Sequence, residues 1–184
     1  MDSIKGIVLL TRIEYIENHF GTEEYFEFLK KISTPEENFR RRPVDGSNSY
    51  PEETLVKIDE LLLQDYFEND VKKFFELGKW NAQRMVPKFF NLYIDEKNPA
   101  EFLMQYNRLR DFLIGSGMMK LQVFNNKSFG IQIDYEQPIP ESVCYSEKGF
   151  IVEGIKMCSG KELEIEEANS SSNEFVYFYN IKIK

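Results

Sequence analysis

The sequence is poor in the groups that metal and nucleophile chemistry draw on. It holds one histidine, His19, and two cysteines, Cys144 and Cys158. One His with two Cys cannot make an ordinary zinc site. The two cysteines fall near opposite ends of one predicted helix, about 20 Å apart, which excludes a disulfide between them. With no paired-cysteine framework, a reducing cytoplasm is the expected setting. Glycine-rich phosphate loops and nucleophile elbows are absent. No stretch approaches the roughly 20 apolar residues of a membrane span. The opening MDSIKGIVLLTRIEYI is interrupted by Arg12 and Glu14 and lacks the cleavage site of a signal peptide. Basic charge is also short, with 23 Lys and Arg against 31 Asp and Glu, for a net −8. That argues against a nucleic-acid-binding face. The one basic cluster, Arg40-Arg41-Arg42 beside Pro43, reads as a solvated loop.

What the sequence does have is aromatic bulk and two kinds of periodicity. Sixteen Phe and ten Tyr in 184 residues call for a core rich in rings. The length suits one domain over 1–184, with a helical part over about 1–116 and a sheet-and-helix part over about 117–184.

The first two thirds read helical. Gly21 stops a first helix over 4–19, and Thr22-Glu23-Glu24 opens a second. Residues 33–50 read as a loop, rich in Pro, Gly, Ser and Asn. Pro51-Glu52-Glu53 suits the first turn of a third helix. A fourth follows Asn69-Asp70, with Gly78 at a bend or a close helix contact. Asn98-Pro99 starts the helix that carries FLMQYNRLRDFLI.

The period then changes. LQVF (121–124) and FGIQIDY (129–135) alternate as strands of a hairpin. Residues 141–158 fit a helix with Val143, Phe150, Ile151, Ile155 and Cys158 on its buried side. KELEIEEA and EFVYFYNIKIK make a second hairpin, with Phe175, Tyr177, Tyr179, Ile181 and Ile183 on one face. About six helices, a hairpin, a helix and a second hairpin describe an α+β fold. Its N-terminal helices would lie on a four-stranded antiparallel sheet with an intervening helix.

Few polar residues fall where apolar ones belong. On the helix 102–114, Phe102, Tyr106, Leu109 and Leu113 form one stripe, widened by Leu103 and Ile114. Arg110 lies inside that stripe. A buried guanidinium needs a carboxylate or a bound anion, so Arg110 marks either an ion pair or an anion-binding pocket. Tyr106, Met118, Met119 and Tyr135 join it as candidate wall residues. Glu162, Glu164 and Glu166 alternate on a strand and read as a solvated face rather than an acid–base pair.

In order, these elements resemble distantly, over nearly the whole chain, the heme-nitric oxide/oxygen binding (H-NOX) domain family. IKGIVLLTRIEYIENHFG looks like that family's first helix. FFELGKWNAQRMVPKFF, FLMQYNRLRDFLIGS and VCYSEKGFIVEGIKMCSG look like its later helices. The resemblance implies a non-enzymatic sensor or binding module acting on a signalling partner protein. It also places Arg110 where the family carries its heme-ligand histidine. Of the family's Tyr-x-Ser-x-Arg propionate motif only Tyr135 has a counterpart, and Gly115-Ser116-Gly117 replaces the usual proline turn. With these departures no cofactor is expected, and heme is disfavoured. The expected ligand is an apolar or acidic small molecule beside Arg110. Two alternatives stand: an assembly module without a pocket, as in the related vesicle-tethering TRAPP subunits, and a heme-based gas sensor with another iron ligand such as Tyr106 or a cysteine.

Overall fold

A computed structural model describes residues 3–32, 44–114, 117–125, 127–135, 139–168 and 176–184. The Arg40–Arg42 cluster, the turn at 115–116 and Phe175 lie outside the described residues. The chain separates into two compact units, Met1–Lys73 with Phe112–Gly115, and Phe74–Asp111 with Ser116–Lys184. The helical part expected over about 1–116 is thus divided, with residues 74–111 counting with the sheet.

In the first unit, β1 (Ile4–Lys5) leads into α1 (Gly6–Phe20), followed by α2 (Thr22–Ile32), β2 (Ser49–Tyr50) and α3 (Glu52–Asp65). The two-residue strands pair antiparallel, Ile4 opposite Tyr50. They were not expected, because a strand this short shows no period; long-range pairing alone defines it. Gly6 permits the close approach, since a Cβ there would stand 2.0 Å from the Asp45 carbonyl oxygen. The core is Leu9, Ile13, Ile16, Phe28, Leu55 and Leu62, all nearly or wholly buried. Across it Arg12 Nε meets Asp59 Oδ1 at 2.6 Å, both side chains out of water. Gly21 ends α1 at φ 95°, where a side chain would be strained. His19 stacks on Tyr15, and its Nδ1 lies 3.0 Å from the Tyr15 carbonyl oxygen.

The second unit holds α4 (Lys73–Phe89, from its second residue), α5 (Asn91–Asp95), most of α6 (Pro99–Ile114), and α7 (Glu141–Ser159). With them stand β3 (Met118–Asn125), β4 (Ser128–Asp134), β5 (Leu163–Ala168) and β6 (Val176–Ile183). The strands form one antiparallel sheet in the order β3-β4-β6-β5. This is the α+β arrangement that the two periodicities call for. Alternation turns Phe129, Ile131, Ile133 and Tyr135 inward from β4 and the residue beyond it. These pack with Phe102 and Tyr106 of α6 and with Phe150, Ile151 and Ile155 of α7.

Glycines set the helix spacing. A Cβ at Gly78 would stand 2.0 Å from the Ser146 carbonyl oxygen, and one at Gly149 would stand 2.1 Å from that of Phe75. Gly78 is therefore a close helix contact rather than a bend, and α4 and α7 meet backbone to backbone there.

Candidate functional site

Asn98 caps α6 with its Oδ1 accepting the Glu101 N–H at 3.2 Å, and Pro99 supplies a first residue with φ already set. From this start, Tyr106 and Arg110 leave the helix one turn apart on one face. That face is the buried one, and Arg110 has no exposed surface.

Its partner is Glu147 on α7. Arg110 Nε donates to Glu147 Oε1 at 2.7 Å, with the side chains 0% and 2% exposed. The Tyr106 hydroxyl donates to the same oxygen at 3.1 Å. The Tyr135 hydroxyl donates to Glu147 Oε2 in a short hydrogen bond. The carboxylate thus receives three donors, two from α6 and one from the end of β4, which is how a buried charge becomes tolerable. Arg110 also donates through its terminal nitrogen to the Gly117 carbonyl at 3.2 Å, and its guanidinium lies 5.2 Å from the Tyr135 ring centre. Gly117 sits at φ 72°, and a Cβ there would stand 2.4 Å from the Asp134 carbonyl oxygen, so glycine alone lets this turn form.

Rings enclose the centre. Tyr106 stacks on Phe150 at 5.0 Å and on Phe102 at 6.2 Å, and Tyr135 meets Tyr177 edge-on at 5.8 Å. Burial first, and then the Glu147 charge, holds the Tyr106 and Tyr135 phenols well above the ordinary tyrosine range. Burial alone would lower the Arg110 pKa, but the Glu147 carboxylate more than offsets it and raises the value. Arg110 is a fixed cation, and both tyrosines are fixed donors.

Of the five candidate residues, the structure brings Tyr106, Arg110 and Tyr135 onto one carboxylate. Met119 is buried in the same core, and its carbonyl accepts from Asn107 Nδ2 at 3.1 Å. Met118 is corrected: strand alternation turns it to the other face of the sheet, where it is 51% exposed, so it does not wall this centre. Glu147 was missed, though the signal was present. It lies one turn from Val143 and one from Ile151, inside an apolar stripe, as Arg110 does on its own helix. Among the described residues no cluster of three or more His, Cys, Asp or Glu could hold a metal ion, and no helix is long and apolar enough to cross a membrane.

Solved structures with the same arrangement exist. An oxygen-binding H-NOX domain related to soluble guanylate cyclases, in its oxygen complex, superimposes with a TM-score of 0.75. The match covers 98% of this chain and 95% of that one. The chain has the H-NOX fold. A mutant H-NOX protein from K. algicida, in its Fe(II) unliganded form, gives a TM-score of 0.71 over 98% of this chain and 97% of that one. An H-NOX structure that bears on the molecular mechanism of H-NOX activation gives 0.74 over the same shares. Identities are 16%, 13% and 16%, so the likeness to H-NOX domains is one of fold. No protein-family model and no curated protein matches the sequence.

Proposed function

We propose that this chain is a non-enzymatic binding module with the H-NOX fold that holds no heme through a histidine. Some structures with this fold are of heme proteins, in which porphyrin distortion was shown to modulate the redox potential. The present centre does not fit that group. The observation that carries the reading is Arg110, wholly buried and bonded to Glu147 at 2.7 Å. The resemblance assigns its position to the iron ligand, and a guanidinium stays protonated and cannot coordinate iron.

The other donors fit no better. The Tyr106 and Tyr135 hydroxyls are both committed to Glu147 and held protonated. Burial pushes the Cys144 thiol up to about 11 and the Cys158 thiol up to about 12, which disfavours the thiolate an iron would need. His19 belongs to the first unit, against its own helix carbonyl. The test is to titrate the purified chain with hemin and record the Soret band. The expected result is only the broad absorbance of unbound hemin. A saturable, stoichiometric Soret shift that survives gel filtration overturns the reading.

A second reading follows from how completely this centre is closed. An acidic small molecule at Arg110 would have to displace Glu147, whereas a protein-assembly module has no such cost. The Arg110–Glu147 pair therefore favours a protein partner over an acidic ligand. Thermal-shift screening separates the two, because a small molecule that binds the native state raises its midpoint with concentration.

A further inference from the structure

We propose that the outer face of the sheet binds one planar heteroaromatic ring carrying a single anionic group, as a nucleoside monophosphate does. This face lies opposite the Arg110 centre, so the site is independent of the heme-free reading. β4 turns Phe129, Ile131 and Ile133 into the core, which leaves Gly130 and Gln132 on the other face. There the ladders set Gly130 between Gln122 of β3 and Asn180 of β6, and Gln132 between Lys120 and Phe178. A glycine inside a strand weakens it and marks a place where another group approaches closely.

Phe124 is the first group to approach. Between the pairs Val123–Phe129 and Asn125–Ser128, β3 advances two residues and β4 one, so Phe124 is the extra residue of a bulge. Bulges re-aim side chains. Here the Phe124 ring comes within 3.1 Å of where a Gly130 Cβ would stand. It does not fill the gap. A cavity of about 280 Å³ remains beside it, also lined by Phe178, and Phe124 stays 54% exposed. That volume falls just under the roughly 300–1,000 Å³ of sites for drug-sized ligands, and suits one ring system with a short substituent.

The lining specifies the chemistry of the ligand. The phenyl rings offer stacking surface, which any base can use. Gln122, Gln132 and Asn180 each carry a donor and an acceptor on one flat amide, the group that reads a purine edge with two hydrogen bonds. Among the described residues none of these three side chains is bonded to another protein group. One cation, Lys120, lines the cavity, and no carboxylate does. The neighbouring Lys182 is held by Glu166 at 3.2 Å, whereas Lys120 has no ion pair among the described residues. One available ammonium suits one phosphate. A nucleic-acid strand is disfavoured. Glu164 and Glu166 of β5 continue the same face beyond β6, and they and the net charge of −8 repel a run of phosphates.

The test is isothermal titration calorimetry on the full chain with adenosine monophosphate, adenosine, inorganic phosphate and a single-stranded oligoadenylate. Adenosine monophosphate is expected to bind saturably at one per chain, adenosine more weakly, and phosphate alone not at all. Lys120→Ala lowers the affinity for the monophosphate to that for adenosine and leaves adenosine unchanged. Phe124→Ala removes the stacking ring and Gly130→Val fills the floor. Each weakens both ligands at least about fivefold, the low end of what base stacking contributes. Lys182→Ala changes neither, and circular dichroism verifies that each variant folds. No saturable binding of the monophosphate into the millimolar range overturns the proposal. So does binding unaltered by both Phe124→Ala and Gly130→Val, which would place it elsewhere. Phosphate alone binding as tightly, or the oligonucleotide binding tighter than the monophosphate, overturns the ligand class.

Discussion

Arg110 Nε stands 2.7 Å from Glu147 Oε1, on two different helices, and neither side chain reaches water. Burying two charges costs more than their attraction returns unless other groups satisfy them. Here Tyr106, Tyr135 and the Gly117 carbonyl do so. The pair is a pin joining α6, α7 and the end of β4.

Glu147→Gln strands the Arg110 charge in the core and is expected to destabilise by about 3–5 kcal/mol. Adding Arg110→Met removes that charge, while the glutamine oxygen still accepts from one of the two tyrosines. The double variant should recover 0.5 kcal/mol or more relative to the sum of the single effects, within the usual range of about 0.5–3. Urea denaturation of the four proteins measures this. Simple additivity would show that the two residues do not act as a pair.

The buried tyrosines set an alkaline limit. Tyr106 and Tyr135 are held well above the value near 10 that they have when unfolded, chiefly by burial. An acid whose folded pKa is raised contributes stability that is intact below about pH 10 and is lost as the pH climbs toward the folded value. The urea midpoint is therefore expected to hold below pH 10 and fall above it, with a shallower fall in Tyr135→Phe. A midpoint that rises above pH 10 contradicts the assignment.

Where α4 crosses α7, the added methyl of Gly78→Ala or Gly149→Ala would sit about 2 Å from a backbone oxygen. Backbone cannot step aside as a side-chain tip can, so each substitution should cost at least the 1–3 kcal/mol typical of overpacking. In a chain of this size that corresponds to about 2–4 °C of melting temperature per kcal/mol. Calorimetry checks it, and an unchanged melting temperature would mean that the helices do not touch there.

Much of this was legible residue by residue. Gly21, Pro51, Asn98-Pro99 and Gly160 mark helix ends because caps and φ preferences are local. The two hairpins show because period-two alternation is local too. Arg110 stood out because one charge broke an apolar stripe. Glu147 broke another stripe in the same way, but the helix 141–158 was read for its apolar side, and a lone Glu does not say that its partner is an Arg 37 residues earlier. The pairing of β1 with β2 was not legible, since two residues carry no period and two helices, α1 and α2, separate them along the chain. Met118 and Met119 looked alike in sequence, and the strand's pleat separates them.

The central claim is that Arg110 and Glu147 form a closed centre in a chain that holds no heme. The most direct measurement is heme content per chain, by pyridine hemochrome assay, after expression with heme supplied in excess. The account predicts essentially none in wild type, with Arg110 still paired to Glu147. Heme recovered at close to one per chain would contradict it.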